Sequence, residues 1–125
     1  MRAPRRKVPT EKQVIARIWR LYTSTGCTVY STQQFRPSRQ AIGLPDLYVV
    51  HQRAGAWWHE AKRPGGKQSD GQRLFQYVVE RAGVSYVLGG VDEARAELER
   101  RGILKGGFTT DLTAFAPLSP VQADP

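Results

Sequence analysis

The stretch DLYVVHQRAGAWWHEAKRPGGKQSDGQRLFQYVVERAGVSYVLG, residues 46–89, decides the fold. Its first two apolar runs, DLYVVH and AWWHEAK, are separated by QRAG. Both are rich in β-branched and aromatic residues, so they read as the two strands of a hairpin. RPGGK then breaks the pattern. Ser69-Asp70-Gly71-Gln72 reads as a capping box, in which the Ser hydroxyl and the Gln amide satisfy each other's backbone N–H groups. The helix it opens, over 69–82, carries Leu74, Phe75, Val78 and Val79 and stops at Gly83. VSYVLG follows as another short strand. Strands joined across a helix pair in parallel, with a right-handed crossover expected. The stretch therefore predicts a mixed sheet with a helix laid upon it.

The flanks extend this pattern. Thr10-Glu11-Lys12-Gln13 is a second capping box, and Val14, Ile15, Ile18, Trp19 and Tyr22 follow at helical spacing as far as Thr25-Gly26. CTVYSTQQF reads as a strand, and RPSRQAIG as a loop carrying Arg36 and Arg39. DEARAELERR reads as a last helix, closed by Gly102. The order helix, strand, strand, strand, helix, strand, helix predicts an α/β layer fold, a mixed central sheet flanked by helices. The expected organisation is a basic arm over 1–9, one domain over 10–104, and a Pro- and Thr-rich tail over 105–125.

Composition narrows the function. The chain has 125 residues and a net charge of +8, with a pI near 10.2. Such an excess favours an anionic partner, nucleic acid being the commonest. Cys27 is the only cysteine, which excludes an internal disulfide and a Cys-based zinc site. His51 and His59 are the only histidines, so a His-rich metal site is excluded too. No apolar run approaches the ~20 residues of a membrane span. The N-terminal MRAPRRKVPT lacks the apolar centre of a secretory signal. No membrane, no small-molecule cofactor and a cytoplasmic location are the expectations.

The charges at the strand ends are the chemical signal. Alternation puts Glu60, Lys62 and Trp58 on one face of the sheet, and Trp57, His59 and Ala61 on the other. Hairpin pairing brings Asp46, at the start of one strand, beside Glu60 and Lys62, at the end of the next. Glu11 lies in the first turn of a helix and shares a face with residues 14, 15 and 18, so it is expected on the core side. Two carboxylates ~4 Å apart repel by about 4 kcal/mol at an effective dielectric near 20. Lys62 offsets part of this. A hard divalent cation offsets more, and carboxylate oxygens suit Mg²⁺ or Mn²⁺.

Phosphodiester hydrolysis is the chemistry that needs such a cluster. Lys62 would deprotonate water or stabilise charge on the phosphate, and Gln72 would orient Lys62 or the water. Arg63 and Lys67 would hold flanking phosphates. Arg36, Arg39 and Arg73 are the other DNA-binding candidates. Taken singly, each acid has a plainer reading: Asp46 as a turn residue after Pro45, Glu60 and Lys62 as a solvated strand face, Glu11 as a helix-start acid, Ser69 and Gln72 as a cap. Their order and spacing together favour chemistry.

Pro45-Asp46 followed by Glu60-Ala61-Lys62 resembles the PD-(D/E)xK nuclease motif. The fuller string is Gly43-Leu44-Pro45-Asp46-Leu47, then Glu60-x-Lys62-x-Pro64-Gly65-Gly66, then Ser69-x-x-Gln72. With Glu11 it resembles a VRR-NUC domain of the free-standing phage and bacterial type, over about residues 10–102. The resemblance implies a restriction-endonuclease-like core. It implies Glu11, Asp46, Glu60 and the backbone carbonyl of Ala61 as metal ligands, with Asp46, Glu60, Lys62 and Gln72 catalytic. It also implies a homodimer that cuts branched DNA, four-way (Holliday) junctions above all. The rivals are a flap- or duplex-cutting nuclease and a DNA-binding module without chemistry.

Other residues carry structural expectations. His51 and His59 are expected at the surface or half-buried in strands. Trp57 and Trp58 are expected in the core, Trp58 on the active face with a base within its reach. Cys27 is expected in the core, and Arg95, Arg100 and Arg101 on a solvated helix face.

Overall fold

The structure, a computed structural model, describes residues 7–32 and 43–105. Both capping boxes form. The Thr10 hydroxyl accepts from the Gln13 N–H at 3.1 Å, and the Gln13 side chain accepts from the Thr10 N–H at 2.9 Å, opening α1 (Glu11–Ser24). Ser69 and Gln72 make the same exchange at 3.1 and 2.8 Å, opening α2 (Asp70–Arg81). The strands are β1 (Thr28–Ser31), β2 (Leu47–His51), β3 (Gly55–Ala61) and β4 (Tyr86–Gly89), and α3 spans Val91–Arg100. Arg36 and Arg39 lie outside the described residues.

The four strands form one sheet in the order β1-β2-β3-β4. The β1/β2 and β2/β3 pairs are antiparallel, and β3 pairs with β4 in parallel across α2. Among the described residues the fold is thus α/β, with a mixed sheet and three helices, as the residue pattern predicts. In the β2–β3 turn, His51 Nδ1 accepts the N–H groups of Arg53 and Ala54 at 3.2 and 3.1 Å. That fixes His51 opposite Gly55 and Leu47 opposite His59.

The core lies on one face of the sheet. Val14, Ile18 and Tyr22 of α1 and Ala94 and Leu98 of α3 pack on Val29, Leu47, Val49, Trp57, Ala61 and Val87. Ile18 and Leu98 are wholly buried, each contributing about 1.5–3 kcal/mol relative to exposure. Cys27 is buried, as expected. The opposite face is thinner. Trp58 stacks on Tyr48 with ring centroids 4.7 Å apart, and Phe75 of α2 meets Trp58 edge-on at 5.4 Å.

Three expectations need correction. No residue of α2 is buried, and Leu74 and Val78 are 63% and 56% exposed. The helix is rolled so that Gln72, Phe75, Gln76 and Val79 form its half-buried stripe. Gln72 must reach Glu60, and that turns Leu74 and Val78 outward. His59 is wholly buried rather than superficial, because it shares the core face with Trp57 and Ala61. Arg101 is not on a solvated face. Its guanidinium lies 4.3 Å from the Trp57 ring centroid and donates to Glu97 at 2.5 Å and to the Ala54 carbonyl at 2.6 Å. An aromatic face and two oxygens outcompete water there.

Candidate metal centre

Register builds the site. Leu47 opposite His59 puts Asp46, one residue earlier, across from Glu60, one residue later. The Ala61 N–H donates to Asp46 Oδ2 at 2.9 Å, so the hairpin backbone itself orients the carboxylate. The Asp46 carbonyl accepts the Thr32 N–H at 2.9 Å, and the Thr32 hydroxyl donates to the Pro45 carbonyl at 2.5 Å. These bonds tie the strand entry to the end of β1. Ahead of Asp46, Gly43 has φ +71° and presses against α2. A Cβ there would lie 2.2 Å from the Gly71 carbonyl carbon and 2.5 Å from the Gln72 nitrogen. Only glycine allows this approach.

α1 brings Glu11 to the same edge. As a residue it is exposed, not on the core side as its helical position predicts. Position in the first turn lets the side chain project past the helix end, and one of its oxygens joins the cluster nonetheless. One carboxylate oxygen each from Glu11, Asp46 and Glu60 lies within 4.8 Å of the others.

Glu60 is 1% exposed. Its Oε2 accepts from Gln72 Nε2 at 2.7 Å and lies 3.4 Å from Lys62 Nζ. Lys62 Nζ donates to Gln72 Oε1 at 3.0 Å, closing a triangle. Glu60 Oε1 is buried and has no hydrogen-bond partner. Burial, then the neighbouring Asp46, pushes the Glu60 carboxyl up to about 8 against the pull of Lys62. Burial also raises Asp46, opposed chiefly by the Ala61 N–H. The single Lys62 ammonium, on the Oε2 side, does not offset the burial of this acid, and Oε1 is left orphaned.

A cleft of about 770 Å³ opens beside this centre, and Lys62, Arg63, Lys67 and Arg73 line it. Arg63 and Lys67 are exposed on the loop after β3. Arg73 is engaged with Asp70 and with the Gln68 carbonyl, 3.0 Å away. Arg17 of α1 lines the same cleft, which residue patterns did not suggest. Trp58 is on the active face, but it is packed between Tyr48 and Phe75.

No family model, curated protein or solved structure matches the chain.

The donors suit a hard divalent cation. Adjacent ligands of an octahedral Mg²⁺ sit ~3 Å apart and opposite ones ~4.2 Å, so the three oxygens, all within 4.8 Å of one another, are near enough for one ion to draw together. The orphaned Glu60 Oε1 is the observation most in keeping with an ion. Ala61, whose carbonyl the resemblance adds to the ligands, ends β3 beside Glu60.

A buried polar network behind the site is absent from the sequence reading. It joins Tyr22, Trp57 and His59, all wholly buried. Alternation placed His59 on the face of Trp57. Given Trp57 in the core, the burial of His59 was available from that pattern.

Proposed function

We propose that this chain is a Mg²⁺- or Mn²⁺-dependent endonuclease that hydrolyses phosphodiester bonds in branched DNA, with four-way junctions as its foremost substrate. The reading takes the sheet and helices as a PD-(D/E)xK core of the VRR-NUC kind. One observation carries it: three carboxylates converge on one sheet edge beside Lys62, with a buried Glu60 oxygen left unpartnered.

An ion held by Glu11, Asp46, Glu60 and the Ala61 carbonyl would polarise the scissile phosphate and lower the pKa of water. The chain's own residues do the rest. Lys62 directs its ammonium at the phosphate and stabilises the charge that builds on it. Gln72 bridges Lys62 and Glu60, accepting from the first and donating to the second, and so holds their ion pair in one geometry. Arg63 and Lys67, with Arg73 once it leaves Asp70, hold the flanking phosphates along the cleft. Arg36 and Arg39 belong to the same reading.

Two equivalent sites suit paired nicks on a two-fold junction. The outer stripe of α2 supports pairing of two copies. Leu74, Tyr77 and Val78 are 63%, 58% and 56% exposed, with Asp70 at one end of the helix and Arg81 at the other. An antiparallel two-fold pair sets each Asp70 against the Arg81 of the second copy.

The test is cleavage of labelled four-way junctions, flaps and linear duplexes of equal length in Mg²⁺, Mn²⁺ or EDTA. Wild type, Asp46→Ala and Lys62→Ala are compared. The expected result is metal-dependent cutting of the junction, lost in both variants. Cutting in EDTA, or full activity in both variants, overturns the mechanism. Preference for flaps or linear duplex overturns the substrate. Salt-sensitive binding without any product makes the chain a binding module.

A further inference from the structure

Behind the acidic cluster, on the other side of the sheet, runs one unbroken chain of hydrogen bonds. Trp57 Nε1 donates to Tyr22 Oη at 3.2 Å. Tyr22 Oη meets His59 Nδ1 at 2.6 Å, and His59 Nε2 meets the Gly89 carbonyl at 3.0 Å. For a neutral imidazole, which burial favours, the two ends fix every proton between them. An indole N–H can only donate and a carbonyl can only accept. The phenol oxygen therefore accepts from Trp57 and gives its own proton to Nδ1. The single N–H of the imidazole is then on Nε2, aimed at Gly89.

The terminus of this chain matters. The Gly89 carbonyl also accepts the Lys62 N–H, at 3.1 Å. It is thus shared between a core histidine and the backbone of the lysine in the cleft. Gly89 is a poor anchor alone. It has φ +136°, and a Cβ on it would come within 2.5 Å of Glu93 Oε1, so no side chain packs there to steady the end of β4. A second donor on the same carbonyl supplies that restraint.

We infer that His59 is a positioning residue for the nuclease centre proposed above. Its Nε2–H, fixed by Tyr22, holds the Gly89 carbonyl where it seats the Lys62 backbone, and so the Lys62 ammonium, beside Glu60 and Gln72. The inference rests on the nuclease reading for its consequence, but the restraint itself is a property of the metal-free protein.

The experiment uses the full chain as wild type, His59→Leu, His59→Gln and Tyr22→Phe. The leucine fills the space without donating, the glutamine keeps a donor toward Gly89, and the phenylalanine removes the tautomer-fixing proton. In metal-free protein, ¹⁵N spectra of wild type should show the Nε2–H tautomer. Amide exchange of Lys62 should speed about tenfold in His59→Leu at a temperature where the variant is folded. Exchange at Trp58, lower on the same strand, should not change, and His59→Gln should restore Lys62 to near the wild-type rate. With Mn²⁺ and a junction, kcat should fall about 10- to 100-fold in His59→Leu with KM unchanged. His59→Gln should recover most of it.

An Nδ1–H tautomer, or Lys62 exchange equal to wild type in folded His59→Leu, overturns the inference. So does a kcat in folded His59→Leu equal to that of a wild type that cuts. If His59→Leu does not fold, Tyr22→Phe decides, because it unsettles the tautomer with little loss of volume. If wild type neither binds Mn²⁺ nor cuts, the nuclease reading falls, and exchange and tautomer still decide the restraint on Lys62.

Discussion

The amide nitrogen of Gln72 donates to Glu60 Oε2 across 2.7 Å, while its amide oxygen accepts from both Lys62 and the Ser69 N–H. One side chain therefore caps α2 and links the acid to the lysine. Gln72→Ala should lower junction cleavage about 10- to 100-fold, the usual loss when a group orienting metal ligands is removed. It should also cost about 1 kcal/mol through the cap. Ser69→Ala separates the two effects, since it should cost similar stability and leave cleavage within a few-fold. Single-turnover rates and urea midpoints check both.

The Glu60 carboxyl, raised to about 8 from the ordinary 4.5, makes stability fall with rising pH. The unfolded chain releases that proton first, so between these values the folded state holds the extra one. Asp46, also raised, acts in the same direction at lower pH. His59, lowered to about 4 by burial, and His51, also lowered, act oppositely below 6.5. The clean window is therefore from about 6.5 to about 8. Urea midpoints in EDTA should drop across it, and Glu60→Gln should flatten the drop. In the same window metal affinity should rise with pH, because binding expels the proton.

Gly43→Ala should be the most damaging glycine substitution near the site. It combines a left-handed backbone with a Cβ driven into the Gly71 and Gln72 backbone. Gly65 has φ +82° but open space around it. Gly65→Ala should cost about 1–2 kcal/mol from the backbone conformation alone. Gly43→Ala should exceed that and displace Asp46 as well, so that cleavage falls further than stability explains. Denaturation and cleavage measured on the same preparations give the comparison.

Leu74→Lys combined with Tyr77→Lys should split a two-copy assembly. Both side chains are already exposed in the single chain, so the melting of a monomer should shift little. Sedimentation should move from dimer to monomer, and junctions should be nicked on one strand without the paired second cut. A wild type that sediments as a monomer at tens of micromolar removes the pairing.

Local rules carried most of the element order. Both capping boxes, the hairpin, and the parallel return across α2 follow from residues a few positions apart. The meeting of Asp46 and Glu60 was also legible, because hairpin register is local. What sequence did not disclose depends on distant packing. The roll of α2 is set by Gln72 reaching across to Glu60, which apolar spacing cannot report. Arg101 is drawn under the hairpin by Trp57 and Ala54, far away along the chain. The exposure of Glu11 likewise depends on how far α1 overhangs the sheet.

The cluster draws its parts from four separate stretches: Glu11 from α1, Asp46 from the entry to β2, Glu60 from β3 with Lys62 just past its end, and Gln72 from α2. No fragment that ends before Gln72 holds the whole set. On the nuclease reading proposed above, a chain emerging from the ribosome would be harmless to DNA until α2 docks on the sheet and Gln72 meets Glu60 and Lys62.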